Sequence, residues 1–355
     1  MLFYKPLLPF SILALSCTYT LTVAQVNPPP AYNGSMPVNY IRVWDMKKPE
    51  TNGNNVTVAS TLQSATMTTN YFDGLGRQIQ STVKQGSLVT GLSATDLVKA
   101  IVYDELGREL YNYLPFTANN TGGNTSINDG LFKLNPFQQQ AAFNTTQFPS
   151  ESFFYAKINY EASPLNRVTG KYAPGDSWAG SEQAPNANDL HGIGIEYMTN
   201  TGDDGVRIWY VNPSTGGIST VDSYDPGTLY KTVTTDAHKR KVVEYKDKQG
   251  NTVLRKVQID ANPGLDHTGW LCTYYVYDDL NNLRLIIPPK ATKELTGSSW
   301  NLTQTIRDEL CFRYEYDARN RPIIKKSPGA AETRIVYDVR DRMVLWQDGN
   351  RRNSH

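Results

Sequence analysis

The sequence has few of the residues from which catalytic and metal sites are built. Its 355 residues include four histidines and three cysteines, and no Cys-x-x-Cys, His-Glu-x-x-His, Gly-x-Ser-x-Gly or phosphate-loop motif occurs. The histidines His191, His238, His267 and His355 are too widely spaced to indicate a ligand cluster. We therefore expect no catalytic residue, no cofactor and no metal site, and we predict that the chain is not an enzyme.

Two acidic features leave an alternative open. Carboxylates such as Glu196 and Asp225 could serve a glycosidase, but their positions in sequence do not place them across a sugar. Asp203-Asp204-Gly205 hints at calcium, yet it lacks the alternating oxygen ligands of a calcium loop. A surface turn is the favoured interpretation of this segment.

The chain also lacks an excess of either charge and a long apolar run. Thirty-five Lys and Arg face 34 Asp and Glu, for a net charge of +1. Such a balance gives no basic field for nucleic acid, so no nucleic-acid partner is expected. No segment is apolar for long enough to span a membrane as a helix.

Residues 1–24 have the features of a secretory signal peptide. Lys5 precedes an apolar run, and Thr22-Val23-Ala24 is a small-residue cleavage site before Gln25. A lipoprotein signal with Cys17 as the lipidated residue is the alternative. Either interpretation predicts a protein that is secreted or held at the outer cell surface.

A tight-turn frame recurs seven times. It begins with Asp or Ser, at Asp73, Asp104, Ser163, Asp247, Asp278, Asp317 and Asp338. The fourth position holds Gly76, Gly107, Asn166, Gly250, Asn281, Asn320 and Asp341. The fifth holds Arg77, Arg108, Arg167, Asn251, Asn282, Arg321 and Arg342. Only Gly, Asn and Asp enter the left-handed region cheaply, so the frame predicts repeated β-hairpins, with these residues in structural roles.

The residues before the turns support strands. Tyr316, Tyr314 and Phe312 precede Asp317 at a spacing of two, and Tyr277 and Tyr275 precede Asp278 in the same way. Aromatic residues at period two are typical of one face of a β-strand.

Cys272 and Cys311 stand six residues before Asp278 and Asp317, so they occupy equivalent positions in two units. If the hairpins are neighbours, an exported protein could form a disulfide there. Two free, half-buried thiols are the alternative.

The units resemble the tyrosine–aspartate (YD) repeats of bacterial Rhs proteins. The closest matches are Tyr71-Phe72-Asp73-Gly74-Leu75-Gly76-Arg77 and Val102-Tyr103-Asp104-Glu105-Leu106-Gly107-Arg108. The segments around Ser163–Val168, Ala173–Asp176 and Trp270–Asp279 are similar to an uncharacterised domain that precedes the repeats in such proteins. The resemblance implies an all-β fold with minor helix, in which repeated antiparallel hairpins form an open, spiralling sheet.

We predict the following organisation along the chain. The residues themselves indicate a signal peptide at 1–24 and a linker at 25–37 that contains Pro28-Pro29-Pro30, and the resemblance implies an N-terminal β domain at 38–175. A β region with long loops follows at 176–270, then YD-type hairpins at 271–349 and a truncated tail at 350–355.

For function, the resemblance implies a non-catalytic scaffold of the polymorphic-toxin type. Such a protein would be the N-terminal part of a shell that encloses or displays a C-terminal toxin, effector or variable tip. Its partners would be the downstream repeats and core domain of a longer protein. The alternative is a cell-surface module that binds a glycan or a protein through exposed aromatics such as Trp178, Trp209 and Trp270.

Overall fold

The computed structural model describes residues 28–87, 93–179 and 191–349. The expected signal peptide, Cys17 and the tail at 350–355 lie outside the described residues. The strands β1 to β20 are, in chain order, Asn39–Met46, Ala65–Phe72, Gln78–Val83, Leu97–Ala100, Tyr111–Tyr113, Phe116–Thr117, Tyr155–Tyr160, Val168–Tyr172, Ile193–Thr199, Arg207–Val211, Ile218–Ser223, Tyr230–Thr235, Lys241–Lys246, Thr252–Gln258, Trp270–Tyr277, Leu283–Ile287, Phe312–Tyr316, Pro322–Lys326, Thr333–Tyr337 and Met343–Gln347. The α-helices are α1 (Pro136–Gln147), α2 (Pro289–Gly297) and α3 (Gln304–Leu310).

The described strands form three antiparallel sheets, so the fold is all-β with minor helix, as predicted. A five-stranded sheet has the order β1-β2-β3-β4-β6. A 13-stranded sheet runs from β20 back through β12 and then β9-β8-β7-β5. The hairpin β10–β11 is inserted between β9 and β12, which pair directly with each other. Among the described residues, β20 and β5 each pair on one side only and form the two edges of the large sheet.

The main core lies on one face of the large sheet. In β15, Cys272, Tyr274 and Val276 are buried, whereas the residues between them are half-buried or exposed. This alternation is the period-two pattern of a strand with one covered face. Ala291 and Leu295 of α2 pack on this core, together with half-buried aromatics of β10–β11. Each large side chain buried here contributes about 1.5–3 kcal/mol of hydrophobic stabilisation.

The five-stranded sheet has its own buried face. Ala65, Met67, Thr69 and Tyr71 alternate along β2 as buried residues. The helix α1 begins with Pro136 in its first turn, where a missing N–H costs no hydrogen bond, and covers part of the sheet through contacts with β4 and β6.

Two features differ from a simple array of hairpins. The Asp104 segment forms its turn, but β4 pairs with β3 and β6, while β5 pairs with β7. This turn therefore joins two sheets, because its flanking strands find other partners. The second feature is the nine-residue helix α2, which follows β16 and packs Ala291 and Leu295 on the main core. Within the described ranges, no helix is long and apolar enough to cross a membrane.

Candidate functional site

The repeated turns share one hydrogen-bond pattern. In the Asp317 turn, the carboxylate oxygen Oδ1 accepts from the N–H groups of Arg319 and Arg321 at 2.9 and 3.0 Å. The Asp317 N–H donates to the carbonyl of Arg321, which closes the turn. Equivalent bonds form at Asp73, Asp104, Asp247, Asp278 and Asp338. An Asp at the first position thus satisfies two backbone donors that would otherwise face water.

The residue at the fourth position has a positive φ in all seven turns. The values run from 52° at Asn166 to 90° at Gly250. Gly, Asn and Asp therefore stand where the backbone enters the left-handed region, which other residues enter at a cost of about 1–2 kcal/mol.

The side chain of the fifth residue donates a hydrogen bond to the carboxylate of the Asp at the first position. Arg321 donates from Nε to Asp317 Oδ2 at 2.7 Å, and Asn282 donates to Asp278 Oδ2 at 3.3 Å. The side-chain hydrogen bond from Arg321 lowers the pKa of Asp317 to about 2, with its backbone N–H adding to the effect. The pKa values of Asp73, Asp104 and Asp338 are lowered in the same direction.

The third predicted turn has a different acid. Arg167 pairs with Glu161 at 2.7 Å, and the Ser163 hydroxyl donates to the same carboxylate. The Asn166 N–H donates to the carbonyl of Ser163, so the predicted turn forms inside a longer loop. Glu161 performs the role of the first-position Asp because its longer side chain spans two additional residues.

An eighth turn of the same geometry, not predicted from the sequence, begins at Asp236. Asp236 accepts from the N–H groups of His238 and Arg240, and Lys239 has a φ of 64°. The signal was an Asp with an Arg four residues later. A Lys at the left-handed position hid it, because Lys is uncommon there.

Neighbouring turns are joined through stacked Arg and Tyr side chains. The arginine at the fifth position of one turn stacks on a tyrosine of a later strand. That tyrosine lies at the end of the sheet where the turn is. The pairs are Arg77 on Tyr103, Arg108 on Tyr160, Arg167 on Tyr197 and Arg321 on Tyr337, with 4.4 to 4.9 Å from guanidinium carbon to ring centre. Guanidinium groups at this distance are attracted by the ring face.

Three of these tyrosines, and Tyr316, also hydrogen-bond to the preceding unit. The Tyr103 hydroxyl donates to the carbonyl of Gln78, and that of Tyr337 donates to Pro322. Tyr197 and Tyr316 make the equivalent bonds to Val168 and Leu283. In each case the acceptor is the first residue after the fifth position of the preceding turn. Each of these tyrosines therefore couples two units.

A second series of hydrogen bonds joins the fifth residue of one turn to the fourth, left-handed residue of the following turn. Arg108, Asn251, Asn282 and Arg321 donate to the side chain at the fourth position of the following turn. The acceptors are, in that order, Asn166 at 3.0 Å, Asn281 at 2.5 Å, Asn320 at 3.1 Å and Asp341 at 2.7 Å. Asn or Asp at this position thus supplies both a left-handed backbone and an acceptor, whereas Gly supplies only the former. We call this set of Tyr–Arg stacks and turn-to-turn bonds the turn ladder.

The turn ladder stops at Arg342. Its guanidinium pairs with Asp338 at 2.7 Å, and 68% of its side chain is exposed. All five residues of β20 are exposed, including Met343, Leu345 and Trp346. The last described strand therefore presents an apolar edge and an arginine without a stacked tyrosine among the described residues.

A buried charged cluster fastens the β10–β11 insertion to the sheet. Asp204 is 1% exposed and accepts from Lys231 at 2.6 Å, from the Tyr245 hydroxyl at 2.8 Å and from the Thr201 N–H at 2.7 Å. Burial raises the pKa of Asp204, but these hydrogen bonds outweigh burial and lower it. With both oxygens engaged inside the protein, Asp204 has a structural role rather than that of a calcium ligand.

Lys256 completes this cluster. Its ammonium donates to the carbonyls of Asp204, Leu265 and Asp266 at 2.8 to 3.1 Å, although the side chain is 1% exposed. Burial lowers the pKa of Lys256 to about 8. Three carbonyls around one ammonium satisfy all of its donors, which is the condition for burying a charge.

Cys272 and Cys311 are free thiols. Both are fully buried, at 2% and 0% exposure, rather than half-buried. The strand β16 lies between β15, which carries Cys272, and β17, which Cys311 precedes. Two strand spacings are roughly 10 Å, beyond the span of a disulfide. Burial raises the pKa of both thiols to about 12, so neither is a ready nucleophile.

The remaining candidates are dispersed. Trp178 is 39% exposed and stacks on His191, whereas Trp209 and Trp270 pack against the main core, so the three do not form one exposed surface. His267 shares a 2.7 Å hydrogen bond with the Tyr274 hydroxyl, and burial lowers its pKa to about 4. Over residues 28–87, 93–179 and 191–349, no cluster of His, Cys, Asp or Glu is arranged to hold a metal ion.

Comparisons with known proteins relate this chain to one family model and to several solved structures. A family model described as a domain of unknown function, DUF6443, matches residues 42–191. No curated protein matches the chain. The crystal structure of TcdB2-TccC3-TEV aligns with 92% of this chain at a TM-score of 0.51 and 14% identity. A mutant Tc holotoxin pore of Photorhabdus luminescens covers 80% of this chain and 11% of its own, at a TM-score of 0.46 and 13% identity.

The chain spans 13% of the TcdB2-TccC3-TEV chain. At 14% identity, this likeness shows a shared all-β fold across nearly the whole of the present chain.

Proposed function

We propose that this chain is a non-catalytic segment of a β-shell of the Rhs type, placed N-terminal to further repeats. In this role it would form part of a wall that encloses or displays a C-terminal toxin, effector or variable tip. The turn ladder is the main support for the proposal, because its side chains form contacts between one hairpin and the next.

The comparisons support the proposal in two ways. The family model matches residues 42–191, which overlap most of the predicted N-terminal β domain at 38–175. The fold is shared with a structure that contains TccC3, of which this chain would correspond to a small part. An Rhs-related shell accounts for the repeated turns, which are joined to one another by the turn ladder.

The open strand β20 gives the proposal a physical consequence. An edge strand with exposed apolar residues on both faces is a template for another strand. In a shell, that strand would belong to the next repeat unit, whose tyrosine would stack on Arg342. In the isolated chain, the same edge should drive self-association.

Light scattering of the purified chain over a range of concentrations tests this consequence. We expect a mass that rises with concentration, and a monomer for Leu345→Lys, because a charge on an edge strand opposes pairing. Val339→Lys is the matched control, since Val339 is 84% exposed but lies in the turn rather than on the edge. A monomeric wild-type chain with strong amide protection over β20 would show that this edge is covered within the chain, and the proposal would fail.

Export is part of the same proposal. We propose that the signal peptide directs the chain out of the cytoplasm, to be secreted or retained at the outer surface. Residues 1–24 carry this proposal through their sequence features.

A further inference from the structure

A polar cavity of about 430 Å³ lies between the turn of the β10–β11 hairpin and the large sheet. Three arginines line it, and each comes from a different element: Arg284 from β16, Arg307 from α3 and Arg313 from β17. The Gly216-Gly217 turn forms another part of the wall. Glu315 is the carboxylate in the lining, and Asp278, Asp308 and Glu332 contact the same arginines from outside it.

The arginines retain donors that the described residues do not use. The Nε atoms of Arg307 and Arg313 are buried and have no hydrogen-bond partner. Arg284 donates from Nε to the Tyr314 carbonyl and from Nη1 to Asp278, both at 3.2 Å, which leaves Nη2. That atom lies beside Gly216, 3.7 Å from the position a Cβ would take. Buried donors without acceptors are unfavourable. The Nη2 atom of Arg284 is the donor that a ligand rich in oxygen would use from the cavity.

Neighbouring carboxylates position two of these side chains. Arg313 pairs with Glu315 at 3.1 Å and also with Glu332, and Arg284 pairs with Asp278. Arg307 has the weakest such contact, with 3.7 Å between its Nε and Asp308 Oδ1. Arg307 is therefore the least neutralised charge in the lining.

We propose that this cavity binds a small tetrahedral oxyanion, a phosphate or sulfate group, through Arg284, Arg307 and Arg313. Guanidinium groups match the geometry of such oxyanions and donate two bonds at a time. Donors from three separate elements suit an anion whose oxygens point in several directions, which a planar carboxylate does not offer. A bound oxyanion would also tie the β10–β11 hairpin to β16, β17 and α3.

Isothermal titration calorimetry of the full chain with inorganic phosphate and with sulfate tests the site, using sodium chloride at matched ionic strength as the reference. We expect binding of phosphate or sulfate beyond the chloride reference, weakened about tenfold or more in Arg307→Gln because a charge-assisted bond is lost. Arg255→Gln is the matched control, since Arg255 is 48% exposed, pairs with Glu244 at 3.8 Å and lies outside the cavity lining. Its affinity should equal that of the wild type.

Arg307→Lys provides a second variant, which keeps the charge but loses the planar fork, and it should bind with intermediate affinity. Circular dichroism identifies a variant that fails to fold, in which case the lysine variant decides. Heats equal to those of chloride for both anions, or equal affinities in the Arg307 variants and Arg255→Gln, would overturn the proposal.

Discussion

The guanidinium of Arg321 lies 4.8 Å from the ring centre of Tyr337, whose hydroxyl donates to the carbonyl of Pro322. One tyrosine thus holds two consecutive residues of the preceding unit. The same relationship joins Tyr103 to Arg77 and Gln78. The tyrosine and arginine of the repeat are therefore contacts between units, while the Asp is a contact within its own turn.

Removing a ladder hydroxyl should destabilise the fold. Tyr316→Phe deletes the 3.0 Å bond to the Leu283 carbonyl, and we expect the free energy of unfolding to fall by about 0.5–1.5 kcal/mol. Urea denaturation monitored by circular dichroism measures this change. Tyr230→Phe is the control, because Tyr230 is 63% exposed and no described residue contacts its hydroxyl, so its effect should stay within about 0.5 kcal/mol. Equal losses in both variants would exclude a specific role for the ladder hydroxyl.

Asn320 separates the two roles of the left-handed position. Asn320→Gly removes the acceptor for Asn282 but keeps a residue that tolerates a φ of 58°, whereas Asn320→Ala removes both. We expect the alanine variant to be about 1 kcal/mol less stable than the glycine variant, because Cβ is unfavourable in this region. Thermal unfolding of the two variants measures the difference. Identical midpoints would mean that the backbone conformation at Asn320 is of no consequence.

Much of the turn geometry follows from local sequence. An Asp that accepts from two backbone N–H groups and a residue that tolerates positive φ act within five residues, so spacing alone indicates them. The strands before Asp278 and Asp317 are equally visible through their aromatic residues at a spacing of two. Burial alternates along β15, whereas every residue of β17 is half-buried.

Other features depend on contacts that are distant in sequence. Nothing in Tyr103-Asp104 shows that the strands around this turn belong to different sheets, since that depends on the partners β3 and β7. The separation of Cys272 from Cys311 by β16 is equally a matter of strand order. The Arg284, Arg307 and Arg313 cavity forms only because the β10–β11 insertion folds back on the sheet.

Acid should weaken the turns. The pKa of Asp317 and that of Glu161 are each lowered to about 2, chiefly by hydrogen bonds from Arg321 and Arg167. Because the folded pKa lies below the ordinary value of 3.8 for Asp, the stabilisation is complete above about pH 4 and is lost as pH falls towards 2. Urea midpoints measured across this range should decline, and less steeply for Asp317→Asn than for the wild type. Parallel declines would show that Asp317 makes no pH-dependent contribution.

Cleavage after Ala24 should leave Gln25 as the first residue of the exported protein. Thr22-Val23-Ala24 gives the small-residue pattern that signal peptidase recognises. Intact-mass analysis of the protein recovered from the exporting host identifies the new terminus. A mass that corresponds to a diacylated chain beginning at Cys17 would establish the lipoprotein alternative instead.

A double-mutant cycle between Arg321 and Tyr337 tests the turn ladder most directly. Unfolding free energies are measured for the wild type, Arg321→Gln, Tyr337→Leu and the double variant, with Arg321→Gln and Tyr103→Leu as the control cycle. The ladder predicts that the double variant at 321 and 337 loses clearly less than the sum of the single losses, because both substitutions break the same contact. The control pair, which belongs to different turns, should be additive within about 0.5 kcal/mol. Additivity at both pairs would contradict the claim that these side chains couple one repeat to the next.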